Sequence, residues 1–275
     1  MFFSIYHGET VNSTWPPHAT GEKAKRKSCK KHDLMLYFNL YNYRLGGLSL
    51  EGFGAWLRQL QFTSLLDLAM VVVAAVLSIT VHETSHGFMA WKLGDPTAKN
   101  AGRLTLNPLK HIDIMGLLLL AIAKFGWAKP VPIDARYFKN PKTGMALTAL
   151  AGPLSNVLLA FVAMLLRNIL ILVIYTRGET MLLLYLLDFL AYVAIINAGL
   201  AVFNLFPIPP LDGSKILGAF LPWKAWIWVL RYERYGMIAM AVLLLTGLLD
   251  APLNFLRGGL IEALGYLSSF PLQFL

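Results

Sequence analysis

One cysteine, Cys29, stands in the 275-residue sequence. It has no partner within the chain, which excludes an internal disulfide framework and a cysteine-rich metal site, so any metal must be held by histidine and carboxylate. Charge is scarce as well. Only 14% of the residues are Asp, Glu, Lys or Arg while 57% are hydrophobic, a balance foreign to an ordinary soluble domain. No internal repeat is visible, and the polar stretches between apolar runs are too short to form a soluble domain of their own. Nor does the N-terminal stretch read as a signal peptide, because its basic run follows polar residues and leads into no apolar segment ending in small residues.

What the sequence does have is apolar length. Leu-, Ala- and Val-rich runs recur from about residue 65 to the C-terminus, and mean hydropathy is +0.58. Backbone polar groups inside a bilayer must be satisfied within the chain, so the expected fold class is an all-α polytopic membrane protein, a bundle of about 4–6 spans with a short re-entrant or strand-like element. Spans are predicted at 65–91, 143–174, 181–206 and 236–249. The run 112–125, with Gly116 inside it and Gly126 after it, is short and is predicted to dip in and return. The tail beyond Pro252, interrupted by Gly258, Gly259, Gly265 and Pro271, reads as interfacial or as a weak extra span. Trp223, Trp226, Trp228, Tyr232 and Tyr235 suggest an interfacial belt.

The formal net charge is +9, and six basic residues crowd one short run, Lys23, Lys25, Arg26, Lys27, Lys30 and Lys31. No recognition module surrounds them, so a solvated tail or attraction to anionic lipid head groups is expected rather than nucleic acid. Residues 1–60 are accordingly expected to be a basic, poorly ordered extension, and 61–275 one membrane-embedded domain. Basic residues also set orientation. Those after the first span (Lys92, Lys99, Arg103, Lys110), after the short apolar run (Lys124, Lys129, Arg136, Lys139, Lys142) and before the last span (Lys215, Lys224, Arg231, Arg234) put three loops in the cytoplasm. The less basic loop around Arg177 and Glu179 falls outside. The same count sends the N-terminus outside despite its basic run, unless residues 34–60 hold a further embedded piece.

Chemistry concentrates in His82-Glu83-Thr84-Ser85-His86, an H-E-x-x-H pentapeptide within the first span. Histidines at i and i+4 share a helical face, so both imidazoles can bind one zinc ion, with Glu83 beside them as the general base for an attacking water. A packed polar network without metal is the alternative, but each ionisable group in an apolar helix costs roughly 2–3 kcal/mol unless partnered. A third ligand is needed. The carboxylates available are Asp95, Asp113, Asp134, Asp188, Asp212, Glu233 and Asp250, and Asp212 fits best: it follows the breaker-rich Pro207-Ile208-Pro209-Pro210 at the same end of the bundle as the histidines. Alternatively Asp212-Gly213 is only a turn or cap opening the next helix. Asn156, in an apolar span, either donates to a substrate carbonyl or oxyanion or ties helices together. Gly152, Pro153 and Ser155 read as packing residues. His111 with Asp113 reads as a solvated or interfacial pair rather than a second metal site.

H-E-x-x-H in one span, paired with Leu211-Asp212-Gly213 after an Asn- and Pro-rich span end, resembles the site-2 protease family of intramembrane zinc metalloproteases. The resemblance covers roughly residues 65–250. It includes Gly94-Asp95-Pro96-Thr97-Ala98, Gly102-Arg103-Leu104-Thr105-Leu106-Asn107-Pro108, Gly126-Trp127-Ala128-Lys129-Pro130-Val131-Pro132 and the G-x-x-x-N element Gly152–Asn156, and it looks like the small prokaryotic type without PDZ or CBS domains. The likeness implies one zinc per chain on His82, His86 and Asp212, Glu83 as catalytic base, and Asn156 and Asn204 near the scissile peptide. It further implies a transmembrane protein substrate, such as a membrane-anchored regulator or a signal-peptide remnant, cleaved by a multi-pass protein of the cell's inner membrane whose site opens toward the cytoplasm. Extended pairing of the unwound substrate with 103–107 or with the re-entrant run is a further expectation. A membrane zinc transporter would also place His and Asp in spans but needs no Glu83 and is expected to show repeat symmetry. A non-catalytic helix-binding scaffold would tolerate loss of Glu83.

Overall fold

The first described helix, α1 (Leu65–Lys92), shows what organises the bundle. Ala74, Ser78, His82, His86 and Ala90, each four residues after the last, are all buried, whereas Leu65, Leu66, Leu68, Val72, Val73 and Leu77 are exposed. Small and polar residues face inward and large apolar ones outward, the reverse of a water-soluble helix and the pattern expected where the surrounding solvent is lipid. These features come from a computed structural model, in which residues 65–113 and 129–274 are described.

After α1 come a short helix, α2 (Thr97–Asn100), and 3-10 turns at Pro108–Lys110 and Ala135–Tyr137. The central helix α3 (Pro141–Arg177) is 37 residues long. Its start is written in the sequence: the Asn140 side chain accepts from the Thr143 amide, and Pro141 occupies the first turn, where its missing N–H costs nothing. Gly178, at φ 94°, ends it. Gly144, Thr148, Gly152, Asn156 and Ala160 form its buried stripe, and Leu147, Leu150, Leu154, Leu158, Val162 and Leu166 its exposed one. Helix α4 (Met181–Asn204) follows, capped by the Thr180 hydroxyl and burying Ala191, Ala194, Ala198 and Ala201. Then come α5 (Asp212–Gly218), α6 (Trp223–Arg231), α7 (Glu233–Leu245), α8 (Asp250–Ser268) and a 3-10 turn at Phe270–Phe274. Helix α3 contacts α1, α4, α5 and α8, so the bundle is assembled around it.

Helices α1, α3 and α4 are long and apolar enough to cross a membrane. The described residues contain no strand, and the protein is an all-α membrane protein. Two expectations change. The span predicted at 236–249 is α7, 13 residues long, about 20 Å at 1.5 Å per residue and short of the roughly 30 Å hydrocarbon core; Gly247, at φ 70°, turns the chain away. The tail predicted to be broken is instead the 19-residue α8. Pro252 falls in its first turn, where proline is tolerated, and packing on α3 and α4 carries its glycines. Residues 114–125 of the proposed re-entrant run 112–125, and all of residues 1–60, lie outside the described residues.

Buried amides pin the helices. Asn197, fully buried in α4, donates to Ser78 Oγ in α1 at 2.7 Å and to the Val193 carbonyl at 2.8 Å. Asn168 in α3 donates to the carbonyl and hydroxyl of Ser268 at the end of α8, at 2.9 and 3.1 Å. Interhelical bonds of this kind contribute on the order of 1 kcal/mol. Asn197→Ala is therefore expected to lower unfolding stability in micelles by about 1 kcal/mol, and Ser78→Ala combined with it to add less than its effect alone; full additivity would show that the bond carries no coupling.

Candidate metal centre

Two turns before the end of α1, His82 and His86 lie one above the other with their rings edge to face, centroids 4.6 Å apart. Both are buried, and the tautomer of each follows from its neighbours. A backbone carbonyl only accepts, so His86 Nδ1 must carry the proton it donates to the Thr148 carbonyl at 2.7 Å. Likewise His82 Nδ1 donates to Asn156 Oδ1 at 3.2 Å. With both protons on Nδ1, both Nε2 atoms present lone pairs inward. They stand 3.0 Å apart, and Asp212 Oδ2 is 3.2 Å from each.

Three acceptor atoms thus face one another in a buried space with no proton among them. With both rings neutral, Asp212 Oδ2 is buried without a hydrogen-bond donor, and a bound metal cation satisfies such a triangle. A tetrahedral zinc with bonds of about 2.0–2.2 Å spaces its ligands by roughly 3.3–3.5 Å, close to the sides observed, and two histidines with one carboxylate leave the fourth position open as catalytic zinc requires. The donor set therefore fits zinc. His82, His86 and Asp212 form the metal-capable group found among the described residues.

Local sequence explains how Asp212 arrives. After α4 ends, the chain turns through Pro207–Pro210, and Asp212 takes the first turn of α5. A Cβ on Gly213 would collide with the Leu205 and Phe206 carbonyls, so the residue after the aspartate must be glycine for the turn to close. Asp212 makes no cap; Leu211 holds that position without a side-chain bond.

Gly152 lies directly against the histidines. A Cβ there would overlap His86 Cε1 and Nε2 and come within 2.7 Å of His82 Cε1. What reads as a packing glycine in sequence is thus the wall of the metal pocket. Glu83, half-buried, accepts the Val131 amide at Oε2, 3.1 Å away. Asn156 is fully buried; its oxygen holds His82 while its Nδ2 has no hydrogen-bond partner. Asn204 instead bonds back to its own helix, Nδ2 donating to the Leu200 carbonyl at 3.0 Å.

Two of the other carboxylates, Asp95 and Asp134, are engaged elsewhere. Asp95, fully buried, accepts from the amide and hydroxyl of Thr97 and from the Asp134 amide, while half-buried Asp134 pairs bidentately with exposed Arg136, which holds its carboxyl down at about 2. His111 is not solvated, contrary to expectation: it is 1% exposed and Nε2 donates to the Thr105 carbonyl at 2.9 Å. Sequence reasoning missed the Thr148 carbonyl and the Val131 amide, which as backbone groups leave no residue-type signal.

Peptidase family M50 matches residues 168–247, the stretch that contains Asp212. Three relatives, each named "Putative zinc metalloprotease", are similar over about 61–66% of the chain. YwhC of Bacillus subtilis (strain 168) is 40% identical over 181 residues, 65% of this chain and 81% of its own. Rip2 of Mycolicibacterium smegmatis is 28% identical over 187 residues, 66% and 68% of the two chains. MJ0611 of Methanocaldococcus jannaschii is 32% identical over 169 residues, 61% and 76%. No solved structure matches the chain. Helical bundle, donor set and relatives agree on a class, the zinc metallopeptidases of membranes. The chain belongs to peptidase family M50, the site-2 protease family.

Two substitutions test the pocket. Gly152→Ala is expected to drop bound zinc, measured by atomic absorption on purified protein, well below one per chain, while Gly258→Ala, where a Cβ meets only open space, leaves it unchanged. Asn156→Ala frees the His82 ring and is expected to weaken zinc affinity by about 10–100-fold in a chelator competition.

Proposed function

We propose that this chain is an intramembrane endopeptidase that hydrolyses peptide bonds in or near the transmembrane segments of membrane-anchored proteins, as in regulated intramembrane proteolysis. The observation that carries the reading is the buried triangle of Nε2, Nε2 and Oδ2 inside a bundle whose outer faces are leucine. His86 lies six residues and His82 ten residues before the C-terminal end of α1, about 9 and 15 Å along the axis, within the depth of a bilayer leaflet.

His82, His86 and Asp212 would hold the zinc, which when bound polarises a peptide carbonyl and acidifies a water. Glu83 takes the proton of the attacking water and passes it to the leaving amine. Val131 keeps one Glu83 oxygen engaged and leaves the other to take the proton. Thr148 and Asn156 keep both imidazoles in the tautomer that ligates. Substrate carbonyls inside a helix are already bonded, so the target must unwind before attack, and spans with glycine or proline should be cut best.

The count of basic loop residues favours a multi-pass protein of the cell's inner membrane with the site opening toward the cytoplasm. Its partners are then the lipid bilayer and a transmembrane protein substrate, and no nucleic acid. Glu83→Gln in reconstituted enzyme tests the assignment. The variant is expected to retain one zinc per chain and to lose cleavage of a Leu- and Ala-rich transmembrane peptide with a central Gly-Pro pair by at least about 10²-fold. A zinc transporter would keep its flux and a helix-binding scaffold its partner, and either result would sink the proposal.

A further inference from the structure

Arg103 counts toward orientation as one basic loop residue among several, yet it is 7% exposed. Its Nη2 donates to two backbone carbonyls, Lys129 at 2.6 Å and Pro130 at 3.1 Å. Among the described residues it pairs with no carboxylate. A buried cation is costly unless its hydrogen bonds are good, and here they all go to one short stretch, the two residues before Val131. The Val131 amide is the donor to Glu83 Oε2.

The same stretch is held at its other points. Lys129 N–H donates to the His111 carbonyl at 2.9 Å. The Asp134 amide donates to buried Asp95 Oδ2 at 2.7 Å. His111 is fastened in turn through the Thr105 carbonyl, which also accepts the Thr84 hydroxyl at 2.8 Å. Contact with α1 is close because of Gly87, one turn after Glu83: a Cβ there would stand 3.2 Å from Val131 Cγ1, Leu104 Cδ1 and Ala98 Cβ alike. Residues 129–134 are thus an irregular segment made rigid from outside, and its one amide aimed at α1 meets the glutamate.

We infer that Arg103 is a positioning residue for Glu83: by gripping the Lys129 and Pro130 carbonyls it presents the Val131 amide to one carboxylate oxygen and leaves the other free to face water. The inference rests on reading Glu83 as the base. Arg103 touches neither the metal ligands nor, by its bonds, the substrate, so its removal should slow the chemical step without emptying the metal site. Misplacing a reacting group by about 1 Å costs on the order of 10²-fold in rate.

The test uses full-length protein in nanodiscs, with Arg103→Gln and Arg103→Lys beside the parent. Arg103→Gln is expected to lower kcat for the Gly-Pro transmembrane peptide by about 10²-fold with KM within twofold, to keep one zinc per chain, and to speed amide exchange across residues 129–134. Arg103→Lys, whose ammonium can still donate to both carbonyls, is expected to recover most of kcat and of the protection. Loss of zinc, a KM effect with kcat intact, a lysine variant no better than glutamine, or unchanged exchange would each overturn the inference. Should the parent enzyme leave the peptide uncut, the hydrolase reading is what fails, and Arg103's hold on the 129–134 segment is then decided by exchange alone.

Discussion

Three lone pairs pointed at one another in a buried space are unstable without a cation, and the bundle is arranged to keep them so. His86 Nδ1 is committed to the Thr148 carbonyl and His82 Nδ1 to Asn156, so neither ring can turn its proton inward to relieve the Asp212 carboxylate. The neutral tautomer that ligates is selected by the second nitrogen's partner, and both partners lie on α3. Helix α3 therefore does more than cross the membrane: it determines the chemistry of two side chains on α1.

Lipid as solvent explains why such a site is compatible with so plain a scaffold. With no hydrophobic drive between helices, close approach and buried amides hold them. Gly152, Ala160 and Ala163 on α3 and the alanines of α4 permit the approach; Asn197 to Ser78 and Asn168 to Ser268 supply the amides. Gly152 sits where both demands meet, since the absent Cβ lets α1 and α3 come together and also leaves room for two imidazoles.

Rigidity around Glu83 comes from outside the spans. Loop residues 94–111 contain Asp95, Arg103 and His111, buried groups that together fasten the segment carrying Val131. A carboxylate at the edge of a membrane helix could take several rotamers, and one backbone amide narrows them. Buried polar groups in a loop tie that loop to the site, whereas a solvated charge would only set the topology.

Much was determined by the sequence alone. The approximate limits of the three long helices and the H-E-x-x-H face are local matters, set by apolar run length and the 3.6-residue turn, and they were legible without coordinates. Asp212 was legible only as the best of seven carboxylates, because the proline-rich turn that brings it to the histidines is a long-range closure of the chain. Other features belong to tertiary structure alone. Neither the length of α7 nor the survival of α8 through three glycines could be read from composition, since packing on α3 and α4 outweighs propensity there. His111 and Arg103 look like surface residues in a string of letters. Only the fold buries them, by bringing backbone carbonyls distant in sequence within reach of their nitrogens.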